Sequence, residues 1–216
     1  MNHSFLIEKT EAFVRKTLQH AEGGHDWFHI YRVWTNAKLI ARDENVDLLT
    51  VELAALLHDI ADSKFHSGDE ELGPRIAVEF MQANGVDEKI QDHVVHIIRS
   101  MSFRSGIGVQ VQPAPTIELQ VVQDADRLDA MGAIGIARAF SYGGYKKREL
   151  YNPDVRPNLN MSKEEYKHST APTLNHFYEK LLLLKDLFNT ATGKKLAARR
   201  HEFMLTYLDE FLAEWS

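Results

Sequence analysis

Apolar residues recur at intervals of three and four along most of this 216-residue chain, and no segment alternates with period two over a useful length. Such spacing gathers the apolar side chains of a segment on one side of an α-helix. The β-branched stretch 109–111 is flanked by Gly and Pro, so we expect a loop there rather than a strand. The chain is therefore predicted to be all-α, and its hydrophobic content of 44% suffices for a sizeable core.

The pattern predicts the helices in order along the chain. An amphipathic helix runs to Leu18, and a second carries apolar residues from Ile30 to Ile40. Asp47 is expected to cap a third helix, because Asp accepts hydrogen bonds from the first free amides of a helix. Further helices are predicted over 76–81, 90–98, 117–140 (ended by the glycines at 143–144), 173–188 and 195–215, with a break at Gly193.

We expect one domain over 1–216, with a core at about 20–142 and C-terminal helices at 169–216. Those last helices carry an apolar face that needs a partner inside the chain, although the same face is compatible with a homodimer. Two loops, 102–115 and 143–168, are long for a compact helical domain. Long loops of this kind are usually functional lids or binding loops, and the alternative is a flexible connector.

Eleven histidines and no cysteine exclude thiolate metal sites, disulfides and a cysteine nucleophile. A net charge of −6 argues against a partner that is a nucleic acid polymer. No signal-peptide core and no apolar run long enough to cross a membrane occur in the sequence, so a soluble cytoplasmic protein is expected.

Histidines and carboxylates stand at the polar ends of apolar helical runs. His29 opens the second helix, the pair His58-Asp59 follows the apolar run 53–57, and Asp124 follows another such run. Each histidine alone is more often a hydrogen-bonded core residue than a ligand. Together, two imidazoles and two carboxylates suit a divalent transition metal with positions left for water and substrate.

The order of these residues resembles the HD superfamily of metal-dependent phosphohydrolases, whose pattern is H…HD…D on an all-helical fold. The similar segments are 25–37, 53–64, 121–140 and 176–204, so the resemblance covers nearly the whole chain. It is greatest to the small stand-alone bacterial HD hydrolases. The resemblance implies a single HD-domain helical bundle with a C-terminal helical extension, and it implies four metal ligands: His29, His58, Asp59 and Asp124.

Further residues are candidates for acid–base chemistry. The resemblance to cyclic-nucleotide phosphodiesterases implies that His25, four residues before His29, protonates the leaving oxygen; the alternative is a residue that orients the helix start. Asp62 and Lys64 follow the HD pair and are interpreted as catalytic or phosphate-contacting, or else as parts of a solvated turn. Asp129 is predicted to pair with Arg127, orient a ligand histidine or activate water.

Four basic residues are predicted to bind the substrate: Arg99, Arg127, Lys146 and Arg148. An arginine beside a metal site favours a phosphate ligand, because its guanidinium forms paired hydrogen bonds to the oxygens. His93 and His96 are interpreted as lining the pocket or the core. His66 is a weaker candidate for a second metal. The remaining histidines are treated as surface or structural: His3, His20, His168, His176 and His201.

These residues predict the metal-assisted hydrolysis of a phosphate ester, and the resemblance implies cleavage of a nucleoside triphosphate to a monophosphate and pyrophosphate. One divalent metal is expected, Mn²⁺ first, with Mg²⁺, Co²⁺, Ni²⁺, Fe²⁺ or Zn²⁺ as alternatives. The alternative activities are a phosphomonoesterase or cyclic-nucleotide phosphodiesterase with the same site, a non-catalytic nucleotide-sensing module, and a di-iron oxygenase.

Overall fold

A computed structural model describes residues 2–19, 26–61, 69–102 and 115–215, and within these ranges every regular element is helical. The predicted all-α class is thus confirmed. The α-helices are α1 His3–Thr17, α2 Trp27–Ala41, α3 Leu48–Leu57, α4 Leu72–Ala83, α5 Glu88–Ser102, α6 Ile117–Asp129, α7 Gly132–Tyr145, α8 Lys163–His168, α9 Asn175–Glu179 and α10 Ala191–Trp215. A 3₁₀ helix covers Leu181–Leu187. No described helix is long and apolar enough to span a membrane.

The chain divides into two compact units, Met1–Asp126 and Arg127–Ser216, with the boundary inside α6. The expectation of one domain over 1–216, with a core at about 20–142, stays a prediction. Most of the loop predicted over 102–115, including 109–111, lies outside the described residues.

Helix α3 is the centre of the first unit. It packs against α1, α2 and α5, and every side chain from Thr50 to Leu57 is buried. A helix that is apolar on all sides is stable only when neighbours surround it. Asp47 caps α3 as predicted, because its Oδ1 accepts from the amides of Leu49 and Thr50 at 3.0 and 3.4 Å.

One carboxylate interrupts the apolar surface of α3. Glu52 is only 6% exposed, and its two oxygens have separate partners. The indole Nε1 of Trp34 donates to Oε1 at 3.0 Å, and Nε2 of His3 lies 2.6 Å from Oε2. These contacts compensate the loss of water around a buried charge, and they join α1 and α2 to α3.

We expect Glu52→Ala to lower the free energy of unfolding by about 1–3 kcal/mol, because the buried indole N–H of Trp34 loses its acceptor. Urea denaturation measures the change. The matched control is Glu79→Ala, which removes an exposed carboxylate from the middle of α4 and should stay within about 0.5 kcal/mol of the parent. Equal losses in the two variants would contradict the structural role of Glu52.

The long helix predicted over 117–140 is wrong, because the structure divides it into α6 and α7. Gly132 has a φ of 70°, a left-handed conformation that stops a right-handed helix and that glycine adopts without steric cost. The glycines at 143–144 do not end α7, which continues to Tyr145. Gly143 packs so closely on Thr173 that a Cβ there would lie 2.0 Å from the threonine Oγ1.

The predictions for the C-terminal helices need two corrections. The segment 173–188 forms α9 and the 3₁₀ helix, which meet at Lys180, where the backbone leaves helical geometry (φ −146°, ψ −57°). Gly193 does not break a helix but lies in the first turn of α10, where its amide donates to Thr190 Oγ1 at 3.0 Å. The aromatic rings of Phe140, Phe177 and Tyr207 pack at centroid distances of 5.8–6.1 Å inside the second unit.

Candidate metal centre

Three side chains meet in the first unit where α2 begins, α3 ends and α6 passes. The ligand-type atoms of His29, His58 and Asp126 all lie within 4.8 Å of one another. Nε2 of His29 is 3.6 Å from Asp126 Oδ1, and Nε2 of His58 is 4.0 Å from the same oxygen. Asp26 caps α2 by accepting from the His29 amide at 2.9 Å, which fixes the first turn that carries this imidazole.

The orientation of His58 suits metal binding. This residue follows α3 directly, and its Nδ1 lies 2.9 Å from the carbonyl oxygen of Ala55. A carbonyl only accepts, so Nδ1 is the donor of this contact, and Nε2, which lies toward the carboxylate of Asp126, is the nitrogen left to bind a metal. The same hydrogen bond restrains the ring, as the outer partners of metal-bound histidines do.

The two aspartates implied by the resemblance lie differently. Asp59 Oδ2 is 4.0 Å from His29 Nε2, so this carboxylate borders the group. Asp124 is fully buried and is not a member of the group of three among the described residues. Because residues two apart on a helix point about 200° from each other, Asp124 and Asp126 project to opposite sides of α6.

The donor set fits a divalent metal. Ligand atoms about 2.1 Å from one ion are separated by roughly 3.0–3.4 Å at tetrahedral or octahedral angles. Asp126 Oδ1 lies 3.6 Å from His29 Nε2 and 4.0 Å from His58 Nε2. These separations are too long for hydrogen bonds, and they are within about 1 Å of the spacing that two ligands of one ion need. Small side-chain rotations therefore suffice for imidazole nitrogens and carboxylate oxygens to surround a cation.

The predicted acid–base residues are placed only in part. His25, Asp62 and Lys64 lie outside the described residues. Asp129 belongs to the second unit, where it is buried and pairs with Arg138 across 2.5 Å. The sequence predicted Arg127 as a partner of this carboxylate, whereas the ion pair seen here is with Arg138.

The predicted substrate-binding residues have protein partners. Arg99 forms a paired contact with Glu71 at 2.6–3.2 Å, and this ion pair lowers the pKa of Glu71 and raises that of Arg99. Arg127 donates to the carbonyl of Leu187 at 2.8 Å. Lys146 and Arg148 are, like Arg127, in the second unit: Lys146 stacks on Tyr142 and Tyr145, and Arg148 donates to the carbonyl of Ser169.

The histidines of α5 are outside the group of three among the described residues. His93 shares a hydrogen bond of 2.9 Å with Thr116 Oγ1 and lies 3.7 Å from Glu118. His96 is half-buried. The structure thus gives His93 a partner at the start of α6.

Sequence reasoning did not select Asp126, although a signal was present. Val121, Ala125 and Leu128 form the buried stripe of α6, and Asp124 lies within that stripe. Asp126 lies off the stripe, and its side chain is 40% exposed. The position of each aspartate relative to the apolar stripe therefore distinguishes the buried Asp124 from the partly exposed Asp126.

Comparisons with known proteins identify the family. The HD domain family model matches residues 27–131. YpgQ of Bacillus subtilis (strain 168) is 39% identical over 201 residues, which cover 93% of this chain and 89% of YpgQ. An HD-superfamily hydrolase from Bacillus thuringiensis superposes with a TM-score of 0.79 at 41% identity, over 99% of this chain and 98% of that one. A crystal structure of B. subtilis YpgQ in complex with ADP gives a TM-score of 0.76 at 37% identity, over 99% and 97% of the two chains.

Proposed function

The chain belongs to the HD superfamily, and on that premise we propose that it is a metal-dependent phosphohydrolase that cleaves a nucleoside triphosphate to a monophosphate and pyrophosphate. The observation that carries the proposal is the convergence of His29, His58 and Asp126, with Asp59 at its border. Buried imidazoles beside carboxylates at helix ends form a site suited to a divalent cation.

We assign the metal to His29, His58 and Asp59, with Asp126 as the further carboxylate. The resemblance implies Asp124 in that position, and the geometry supports Asp126 because its oxygen lies between the two imidazoles. Imidazole and carboxylate together suit Mn²⁺, and they also suit Fe²⁺, Co²⁺, Ni²⁺ and Zn²⁺.

A divalent metal held there would polarise a phosphoryl oxygen and activate water for attack. In the proposed reaction the oxygen of water bonds to the α-phosphorus, the bond from that phosphorus to the bridging oxygen breaks, and pyrophosphate leaves. His58 would bind the metal through Nε2, because Nδ1 donates to the carbonyl of Ala55. His25 stays the predicted donor of the proton that the leaving oxygen needs.

A nucleotide substrate is supported by a relative. The similar protein YpgQ has been solved in complex with ADP, and the similarity spans 99% of this chain. ADP carries the base, ribose and phosphoanhydride that a nucleoside triphosphate presents. A site that accepts such a ligand and holds a metal can bring the phosphoanhydride to activated water.

A product assay tests the proposed function. The purified protein is incubated with Mn²⁺ and each nucleoside triphosphate, diphosphate, monophosphate and cyclic nucleotide, while pyrophosphate and orthophosphate are measured separately. We expect pyrophosphate and the monophosphate in equal amounts from a triphosphate, with no turnover after chelation of the metal.

Other products would change the assignment. Orthophosphate from a monophosphate would identify a phosphomonoesterase, and a monophosphate from a cyclic nucleotide would identify a phosphodiesterase. Tight nucleotide binding without any turnover in the presence of Mn²⁺ would identify a sensing module. Each of these results contradicts the pyrophosphohydrolase assignment.

A further inference from the structure

A group of basic and aromatic side chains lies wholly within the second unit, and we call it the α9 basic cluster: Arg148, Tyr166, His176 and Lys180. Backbone hydrogen bonds bring its parts together. The amide of Thr173 donates to the carbonyl of Glu149 at 2.9 Å, and the amide of Leu174 donates to the carbonyl of Leu150 at 3.0 Å. The chain directly after Arg148 is thereby joined to the chain directly before α9.

The side chains of the cluster contact one another. The hydroxyl of Tyr166 and Nδ1 of His176 share a hydrogen bond of 2.8 Å, and the two rings lie 5.8 Å apart. Nζ of Lys180 lies 5.6 Å from the centre of the Tyr166 ring. Tyr166 therefore contacts both His176 and Lys180.

Arg148 has no carboxylate partner in the part of the chain that the structure describes. One of its terminal nitrogens donates to the carbonyl of Ser169 at 2.5 Å, and its Nε is buried without a hydrogen-bond partner. The acidic residue that follows Arg148, Glu149, accepts a hydrogen bond from Asn152 at 3.1 Å. The guanidinium carbon also lies 5.8 Å from the centre of the Tyr142 ring, so the partners of Arg148 that are seen here, a carbonyl and an aromatic ring, are both neutral. A partly buried guanidinium with neutral partners keeps its charge for an anion.

A second buried donor lies beside this arginine's segment. Thr173 is 3% exposed, and its hydroxyl has no hydrogen-bond partner. Among the described residues, three buried side-chain polar atoms lack a partner, and Arg148 Nε and Thr173 Oγ1 are two of them. Thr173 Oγ1 packs against Gly143 of α7, so Arg148 Nε is the donor that is left for a ligand.

The electrostatics of His176 agree with this interpretation. Burial, together with the positive charges of Lys180 and Arg148, lowers the pKa of His176 to about 4. The two charged groups behind this shift, Lys180 and Arg148, are both cations. An anion placed there would meet a favourable field.

We propose that the α9 basic cluster binds a phosphate group, supplied by the phosphate chain of a nucleotide or by pyrophosphate. Arg148 and Lys180 carry the opposing charge, and Tyr166 holds the His176 ring. The sequence alone favours a surface or structural role for His176 and indicates no role for Lys180. Phosphate binding at this cluster does not depend on hydrolysis at the metal centre.

Nuclear magnetic resonance of the His176 ring tests the proposal on the metal-free protein. Inorganic phosphate, pyrophosphate and ADP are titrated separately, and the pKa of His176 is followed. A bound anion stabilises the imidazolium, so the pKa should rise from about 4 toward the ordinary 6.5. Tighter binding of ADP than of pyrophosphate identifies the nucleotide as the source, and the reverse order identifies pyrophosphate.

Charge-removing variants identify the groups that bind. We expect Lys180→Met and Arg148→Met each to weaken phosphate binding by roughly ten-fold or more, because hydrogen bonds from charged donors are lost. The control is Lys185→Met, which removes an exposed lysine of the 3₁₀ helix and should change the affinity by less than about two-fold. Because Lys180 is exposed, its variant decides the matter if the Arg148 variant does not fold.

Two outcomes would overturn the phosphate site. One is a His176 pKa that does not move at saturating concentrations of all three ligands. The other is an equal loss of affinity in Lys185→Met, which would indicate attraction by overall charge. The titration is repeated on His58→Ala, so that a chain without hydrolytic activity still reports on this cluster.

Discussion

His58→Ala is expected to abolish metal binding and to lower nucleotide turnover by roughly a hundred-fold or more. The variant removes one of the two imidazole nitrogens that face Asp126 Oδ1. Loss of the hydrogen-bond partner of a metal ligand already costs roughly 10–100-fold in metal affinity or activity, and loss of the ligand itself should cost more. Metal analysis of the purified variant and steady-state kinetics with added Mn²⁺ measure the two effects.

The matched control for this substitution is His93→Gln. His93 also lies in the first unit, but its Nε2 shares a hydrogen bond with Thr116 rather than facing the carboxylate of Asp126. Gln keeps a polar group for that contact, so the control should retain its metal. Thermal unfolding of both variants without metal shows whether each is folded. Full metal content in folded His58→Ala would contradict the assignment of the centre.

The sequence was sufficient for the helices whose boundaries depend on local signals. Asp47 was expected to cap α3 from the preference of Asp for that position, and the structure confirms it. The apolar spacing of α2 and α3 likewise placed His29 and His58 at helix ends. Local hydrogen bonding and helical periodicity thus position two of the three side chains in the candidate centre.

Errors arose where packing between elements decides the conformation. The apolar period continues across Gly132, so the sequence predicted one helix where a left-handed glycine divides α6 from α7. Gly143 looked like a helix end, but it is a point of close contact with Thr173 inside a continuing helix. A single sequence shows that a glycine is present but not which neighbour requires it.

At the site, too, the sequence pattern alone was not enough to choose between two aspartates of α6. The H…HD…D pattern fixes the order of the ligands, but it does not choose between Asp124 and Asp126. The two residues differ in helical phase: Asp124 lies on the buried stripe with Val121 and Leu128, and Asp126 faces His29. When the pattern is matched without considering the side of the helix on which each aspartate lies, it selects Asp124, the first aspartate in the segment.

Asp126→Asn is expected to lower metal affinity and turnover by roughly a hundred-fold, whereas Asp124→Asn should keep the metal and lose stability. The first change removes the negative charge 3.6 Å from His29 Nε2 while keeping the size of the side chain. The second alters a fully buried carboxylate on the core side of α6, where a mismatch in hydrogen bonding costs about 1–3 kcal/mol. The paired design holds the helix, the chemistry of the change and the side-chain volume constant.

Isothermal titration with Mn²⁺ and urea denaturation separate these two effects. For Asp126→Asn we expect weak metal binding with an unfolding free energy in metal-free buffer close to that of the parent, because its side chain is 40% exposed. For Asp124→Asn we expect parental metal stoichiometry with a lower unfolding free energy. The opposite pattern, with metal lost only in Asp124→Asn, would restore Asp124 as the ligand and would require α6 to rotate about its axis when the metal binds.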